Sequence, residues 1–400
     1  MDLSMFLSSE TGSLVDIWGT DPVFGDWKHK AFVAAPLPTV MPELSVPTIL
    51  ATTAARAALA ALDSTAAQLP NPQLLRLPTL RREAQSTSAL EGTYAPLAEV
   101  LTADEEAPAS AELTEILNYV RMANYAFSWI SDDRPVTTSL LSSLQGILMQ
   151  QTALESESGR IRDRQVVIGR RADATPGMAP VHAARFIPPP PDDSLSIGVQ
   201  DLVDWIREDH SAMIDPVVAA AMSHYQFESL HPFRDGNGRL GRLLIVMHLQ
   251  LTQVLTEPTL TVSPWFEARR DDYYNRLLAV STRGDWDSYI RFFAQGLREA
   301  AESTRRQMIA LVRVQSELKD VVRSSTLRAD SAHTLIDLAI ANPSFTVRQV
   351  EAELGISYGR ANKLVGQLID LGILRVANPN AYKRRIYAPR VLRVLTQATT

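Results

Sequence analysis

Four hundred residues, 46% of them hydrophobic and 21% charged, with a net charge of −6, describe a globular chain long enough for two or three domains with real cores. No apolar run approaches the roughly 18 residues of a membrane span, and Met1-Asp2-Leu3-Ser4 opens no basic-then-apolar leader, so neither a membrane span nor a signal peptide is expected and the cytoplasm is the default. The absence of cysteine excludes a disulfide framework and thiol chemistry.

Residues 1 to 45 are rich in Pro, Gly and aromatics (Trp18, Phe24, Trp27, Phe32) without sustained periodicity, and read as an extended segment packed over the surface. An Ala/Leu-rich run predicts a helix from Val46 to Gln68, stopped by Leu69-Pro70, and Asn71-Pro72 reads as an N-cap with proline at the first helical position. A helix should follow from Thr79 to Glu91, ended by Gly92. Apolar residues at three-to-four spacing predict others at 95–105, 111–131 and 138–151. In the 79–91 helix, Thr87 and Glu91 are four apart and share a face. Glu91 stands in the last turn, where a carboxylate opposes the dipole and gains from a cationic partner; for a surface glutamate that partner is usually solvent or a neighbouring lysine.

The pattern then changes. Residues 164–169 and 184–187 read as short extended segments, the second running into Pro188 to Pro191, and a β-hairpin flap at about 164–188 is expected. Helices resume at 198–208, 214–230 and 239–253. After Ser263-Pro264 a helix carries Trp265, Phe266, Tyr273 and Tyr274, and Trp286 opens one that continues towards Asp320.

Between two of these apolar helices lies the densest chemistry in the chain, Leu230-His231-Pro232-Phe233-Arg234-Asp235-Gly236-Asn237-Gly238-Arg239-Leu240-Gly241-Arg242. His231 precedes a proline, which ends the first helix there and presents the imidazole at the loop entrance. Gly236-Asn237-Gly238 can gather backbone N–H groups into an anion-binding nest. Arg239 and Arg242 are cations in the first turn of a helix, opposed to its dipole by some tenths of a kcal/mol each. That placement suits a polyphosphate, towards which nest, helix terminus and arginines would all point, with Asp235 beside it to hold Mg²⁺. A lone Gly-Asn-Gly or a lone helix-end histidine is ordinarily structural; it is their conjunction that points to function.

HPFRDGNGRLGR resembles the signature of the Fic family, HPFx[D/E]GNGRxxR, at every fixed position. The resemblance implies a mainly α fold, a Fic-type helical bundle with a β-hairpin flap, and transfer of AMP from ATP to a hydroxyl side chain of a protein. It implies His231 as the base, Asp235 as the Mg²⁺ ligand, and Phe233, Gly236, Asn237, Gly238, Arg239 and Arg242 at the nucleotide, with Tyr273 and Tyr274 near the adenine. An asparagine that many relatives carry about eight residues beyond that pair is replaced here by Val280, Ser281 or Thr282. Thr87-Ser88-Ala89-Leu90-Glu91-Gly92 is similar to the family's inhibitory [S/T]xxxE[G/N]. By that likeness Thr87, Glu91 and Gly92 form an inhibitory element, with Glu91 holding Arg242 away from the γ-phosphate. In the same family the flap holds the target protein by strand addition. Two other readings remain: a nucleotide-sensing, DNA-binding regulator, and an enzyme that removes AMP. No membrane partner is implied, and a homodimer is left open.

The tail has its own signature. From Tyr358 to Arg390 the segment is +6, so the remainder of a chain with total charge −6 carries −12. Helix one at 331–342, the capping box Thr346 to Gln349, a turn at Leu354 to Ser357, helix three to Leu371 and two short strands around Pro379-Asn380 make a small α/β winged helix-turn-helix pattern. Arg360, Lys363, Lys383, Arg384 and Arg385 are its candidate DNA contacts, and a protein-docking role is the alternative. The layout expected is 1–110 with the inhibitory helix at about 79–92, a catalytic domain at 111–320, and the winged module at 331–395.

Overall fold

The computed structural model describes residues 1–7, 10–68, 76–105, 107–327, 330–377 and 384–397; Asn71-Pro72, Pro379-Asn380 and Lys383 lie outside them. The chain opens on a hairpin, β1 (Gly12–Asp21) and β2 (Gly25–Ala34), paired antiparallel from Gly12 opposite Ala34 to Asp21 opposite Gly25. It replaces the extended segment expected there. Its turn is set by Asp21, whose carboxylate accepts the N–H of Val23 at 2.8 Å and of Phe24 at 3.1 Å, and by Gly25 at φ 75°. The strands mix Gly, Asp and Lys with apolar residues, so their alternation is weak in the sequence alone. Ile17, Ala31 and Phe32 instead build a small core with Val181, Ala184, Phe186 and Ile187.

The helical body follows: α1 (Val46–Ala67), α2 (Arg76–Leu90), α3 (Leu97–Thr102), α4 (Ala111–Ser131) and α5 (Thr138–Leu148). Next come the flap strands β3 (Ile168–Arg170) and β4 (Ala184–Phe186), with one helical turn, α6 (Pro180–Ala183), before the second. Then come α7 (Asp193–Arg207), α8 (Pro216–Leu230), α9 (Asn237–Leu251), α10 (Ser263–Glu267), α11 (Arg270–Arg283) and α12 (Trp286–Arg323). Side-chain caps fix several starts: Ser110 accepts from Leu113 N–H, and Thr137 from Leu140 N–H. Asp192 accepts from Ser194 N–H at 2.9 Å, so α7 begins at Asp193 rather than at 198. The flap is shorter than expected, with only Ile168 opposite Phe186 and Arg170 opposite Ala184.

Two packings hold the site. Thr48, Thr52, Ala55, Leu59, Leu62 and Ala66 form a stripe along α1 that runs parallel to α12. The pair is pinned at one end by Ser45 N–H on Asp287 and at the other by Arg305 on Thr65. At the centre, α8 and α9 form an antiparallel hairpin. From Val217 to Leu230 every residue of α8 but Glu228 is buried, and so is α9 from Asn237 to Gln250. A helix buried on all sides belongs in a core, and the loop between these two is therefore held at both ends by buried helices.

The C-terminal elements are α13 (Asp330–Ala341), β5 (Ser344–Phe345), α14 (Val347–Leu354), α15 (Tyr358–Asp370), β6 (Arg375–Val376), β7 (Ile386–Tyr387) and α16 (Pro389–Thr396). Both bonds of the Thr346/Gln349 capping box form, and Gly355 closes α14 at φ 61°. Among the described residues of the tail the strands number three rather than two, in the order β5-β7-β6. The tail packs on the body: Arg390 pairs with Glu317 of α12, and Arg385 with Asp104, at 3.5 Å, just after α3. Among the described residues no helix is long and apolar enough to cross a membrane.

Candidate active site

His231 caps α8 in the left-handed region, φ 47° and ψ 59°, its N–H still bonded to Phe227 O at 3.0 Å. The following proline bars the α conformation, and αL lets the chain reverse at once. The imidazole is pushed down to about 4, by burial first and then by Arg162, against the pull of Glu91 and Asp235. It is therefore neutral at pH 7 and able to accept a proton.

The loop then closes on itself. Asn237 accepts Phe233 N–H at 2.8 Å and donates to Phe233 O at 2.8 Å. Both polar ends of this buried amide shape the loop, so what Asn237 offers an anion is its backbone N–H, not its side chain. Phe233 is likewise a core anchor, 1% exposed against Phe227, and not a wall of the site. Gly236, at φ 81°, starts α9. A Cβ on Gly238 would overlap Glu91 Oε1, so glycine is what admits that carboxylate to the first turn of the helix.

The expected pairing of Glu91 with Arg242 is present. Arg242 Nη2 donates to Glu91 Oε1 at 2.6 Å and to Thr87 O at 3.0 Å, while Nε donates to Thr87 Oγ1 at 2.6 Å. The guanidinium is fully buried, and the Glu91 side chain is 29% exposed. Burial alone would raise the Glu91 carboxyl, but Arg242, Arg239 and His231 outweigh it and hold it below its ordinary range. Gly92, at φ 95°, turns the chain away after it. The α2 helix that carries this pair is itself fastened. Glu83 accepts the N–H (2.9 Å) and hydroxyl of Ser263 at the head of α10, and Arg81 donates to Leu101 O at 2.8 Å.

Glu91, His231 and Gly238 line one cavity of about 270 Å³, with Phe186, Tyr274 and Leu277 among its other walls. The two tyrosines part company. Tyr274 lines the cavity, whereas Tyr273 is wholly buried with its hydroxyl on His224 Nε2 at 2.6 Å. Ser281 also lines the cavity, its hydroxyl shared with Tyr225 at 2.9 Å. Asp235 is 49% exposed; its Oδ1 accepts Gly236 N–H at 2.6 Å and faces Arg239 Nη2 at 3.4 Å.

Three residues of the site escape the sequence reading. Arg162 is buried and ties the flap to the motif, with bonds to His231 O at 2.9 Å and Pro189 O at 2.6 Å; nothing distinguishes it in sequence from Arg160 or Arg164. Glu115, an ordinary acid on α4, meets Arg239 Nη1 at 3.2 Å. Glu228 lines the cavity, its carboxyl pushed up to about 8 by burial against the pull of Arg242. A lone acid in an apolar helix three residues before His231 was a signal that could have been read. In the tail, Arg360, Lys363 and Arg384 are exposed. Arg385 is not on that open face, because Ser344 and Asp104 engage its guanidinium.

Residues 49–128 match the family model described as Fic/DOC family N-terminal, and residues 135–249, from α5 to α9, match the one described as Fic/DOC family. The chain carries the two domains of the Fic/DOC family. Over 139 residues this Fic protein is 32% identical to "Protein adenylyltransferase fic-1" of Caenorhabditis elegans, a match covering 35% of this chain and 23% of that one. It is 35% identical over 114 residues to "Protein adenylyltransferase Fic" of Drosophila virilis, 28% of this chain and 22% of that one. The match thus spans less than a quarter of these curated relatives. A crystal structure of a Fic family protein from Desulfovibrio desulfuricans shares the fold, with a TM-score of 0.54 at 20% identity over 87% of this chain and 98% of that one. The family's mainly helical architecture is the one described above.

Proposed function

We propose that this Fic protein transfers AMP from ATP to a Tyr, Thr or Ser hydroxyl of a target protein, and that Glu91 holds the site shut. The observation that carries the reading is that a neutral imidazole and the N-terminus of a buried helix bearing two arginines open on the same cavity. The target oxygen attacks the α-phosphorus, forming one P–O bond as the bond to the bridging oxygen of the β-phosphate breaks. His231 takes the hydroxyl proton, and pyrophosphate leaves. The N–H groups at the start of α9 stabilise charge on the phosphate oxygens, and Arg239 and Arg242 grip the β and γ end once freed. Asp235 fits Mg²⁺, since a half-exposed carboxylate beside the phosphate site is what such an ion needs when phosphates supply its other ligands. Bound there, the ion would neutralise α- and β-phosphate charge. The target's backbone lies along the flap, which Arg162 keeps at a fixed height above His231.

Label placed on the α-phosphate of ATP should appear on protein, and label on the γ-phosphate should not. Transfer of the γ-label without the α-label, read by autoradiography with the Glu91→Gly variant, would identify phosphoryl transfer instead and end this reading.

A second activity is supported by α15, whose Tyr358, Arg360, Asn362 and Lys363 are exposed at the head of the third helix of the tail. We read residues 331–395 as a winged-helix module that lays this helix in the DNA major groove, with Arg384 on phosphate. Arg360→Glu with Lys363→Glu should weaken duplex binding, and Arg384→Ala should flatten the log–log salt dependence by about 0.9, the share of one phosphate contact. Unchanged mobility shifts across a salt series would leave the module a protein-docking one.

A further inference from the structure

Arg242 is not the only motif arginine that is occupied. Glu115 Oε2 accepts Arg239 Nη1 at 3.2 Å, and the same oxygen accepts Thr93 Oγ1 at 2.9 Å. Arg239 is 2% exposed, its Nη2 leans on Asp235 at 3.4 Å, and its Nε is buried without a hydrogen-bond partner. Thr93 stands two residues beyond Glu91 on the strap that leaves α2. One short strap therefore touches both clamps, Glu91 on Arg242 directly and Thr93 on the carboxylate that holds Arg239.

We propose that Glu115 is a second determinant of nucleotide affinity: it neutralises Arg239 and, through Thr93, ties the release of that arginine to the movement of the strap bearing Glu91. The inference rests on the cavity being a nucleotide site. A guanidinium between two carboxylates presents an approaching polyphosphate with a group of net negative charge. Removing one carboxylate restores the attraction that the helix N-terminus alone would exert. Thr93 makes the arrangement cooperative, because a strap that swings out takes a hydrogen bond from Glu115 as it takes the carboxylate from Arg242.

The test is calorimetric binding of ATP with Mg²⁺ to the full chain carrying His231→Ala, so that transfer is suppressed, with and without Glu115→Gln. Glutamine keeps the size and can keep both hydrogen bonds, and only the charge is lost. We expect Glu115→Gln to tighten binding by roughly fivefold at low salt, the worth of one partly exposed charge pair, with the gain shrinking as ionic strength rises. Thr93→Val should tighten binding by a smaller factor. A merely structural role predicts that the glutamine behaves as its parent and that alanine weakens binding. Affinity unchanged within twofold, or weakened, with ATP still bound by the parent overturns the role of Glu115 alone. A parent that binds no ATP even after Glu91→Gly is added overturns the nucleotide reading and this inference with it.

Discussion

Replacing His231 with alanine should reduce AMP transfer by roughly 10²- to 10⁴-fold, the usual worth of a positioned general base. The backbone there is left-handed at φ 47°, a conformation that costs alanine roughly 1–2 kcal/mol, so a modest fall in Tm is expected beside the loss of activity. Asparagine tolerates that conformation and is no base at neutral pH, so His231→Asn separates the two effects: native Tm, activity still lost. The titration adds a second mark. With the folded-state value pushed down to about 4, the proton-accepting form of His231 dominates at every pH above that and is lost only as pH falls through it. Transfer should therefore show no inflection from this residue near 6.5. Single-turnover labelling with radiolabelled ATP from pH 5 to 8 measures both. Full labelling by the two variants would mean that another group takes the proton.

Glu91→Gly should act in the opposite direction, raising auto- or target labelling by roughly 10- to 100-fold. The substitution removes a charge-assisted bond at 2.6 Å to a guanidinium with no exposure to water, a class of interaction worth about 1.5–3 kcal/mol. The carboxylate also sits against Gly238, over the turn where phosphate would bind, so its removal vacates space as well as charge. Arg242 would keep its bonds to Thr87 yet be left without its closest counter-charge. The free variant should accordingly melt lower and gain more from ATP than the native chain does. Glu91→Gln should fall between the two. Labelling of Glu91→Gly indistinguishable from native would show that the pair is structural and not inhibitory.

Much of the site could be read beforehand, and for local reasons. The residue before Pro232 had to leave the helix, glycines at 236 and 238 had to mark a turn or a close approach, and Glu91 and Arg242 each stood at the wrong end of a helix dipole. Rules of this kind reach across one helical turn. They failed where side-chain direction depended on packing: Asn237, Phe233 and Tyr273 sit at the expected positions but face the core, leaving the backbone of the loop and Tyr274 at the cavity. The N-terminal hairpin escaped because its alternation is blurred by polar residues on a strand pair whose buried side is supplied by distant elements, the flap and α8 among them.

The sequence by itself determined the family motif, the helical class, the termini that expose His231 and the N–H groups of α9, and the two charges that needed partners. Tertiary structure alone decided who those partners are. Glu91 and Arg242 are 151 positions apart, and Arg239 and Glu115 are 124 apart. Such pairs form because α2, α4 and α9 pack side by side, and the packing of buried faces is set by the shape of the whole core rather than by any spacing along the chain. The same holds for Arg385, one of several basic residues in sequence, which the docking of the tail on Asp104 withdraws from the open face.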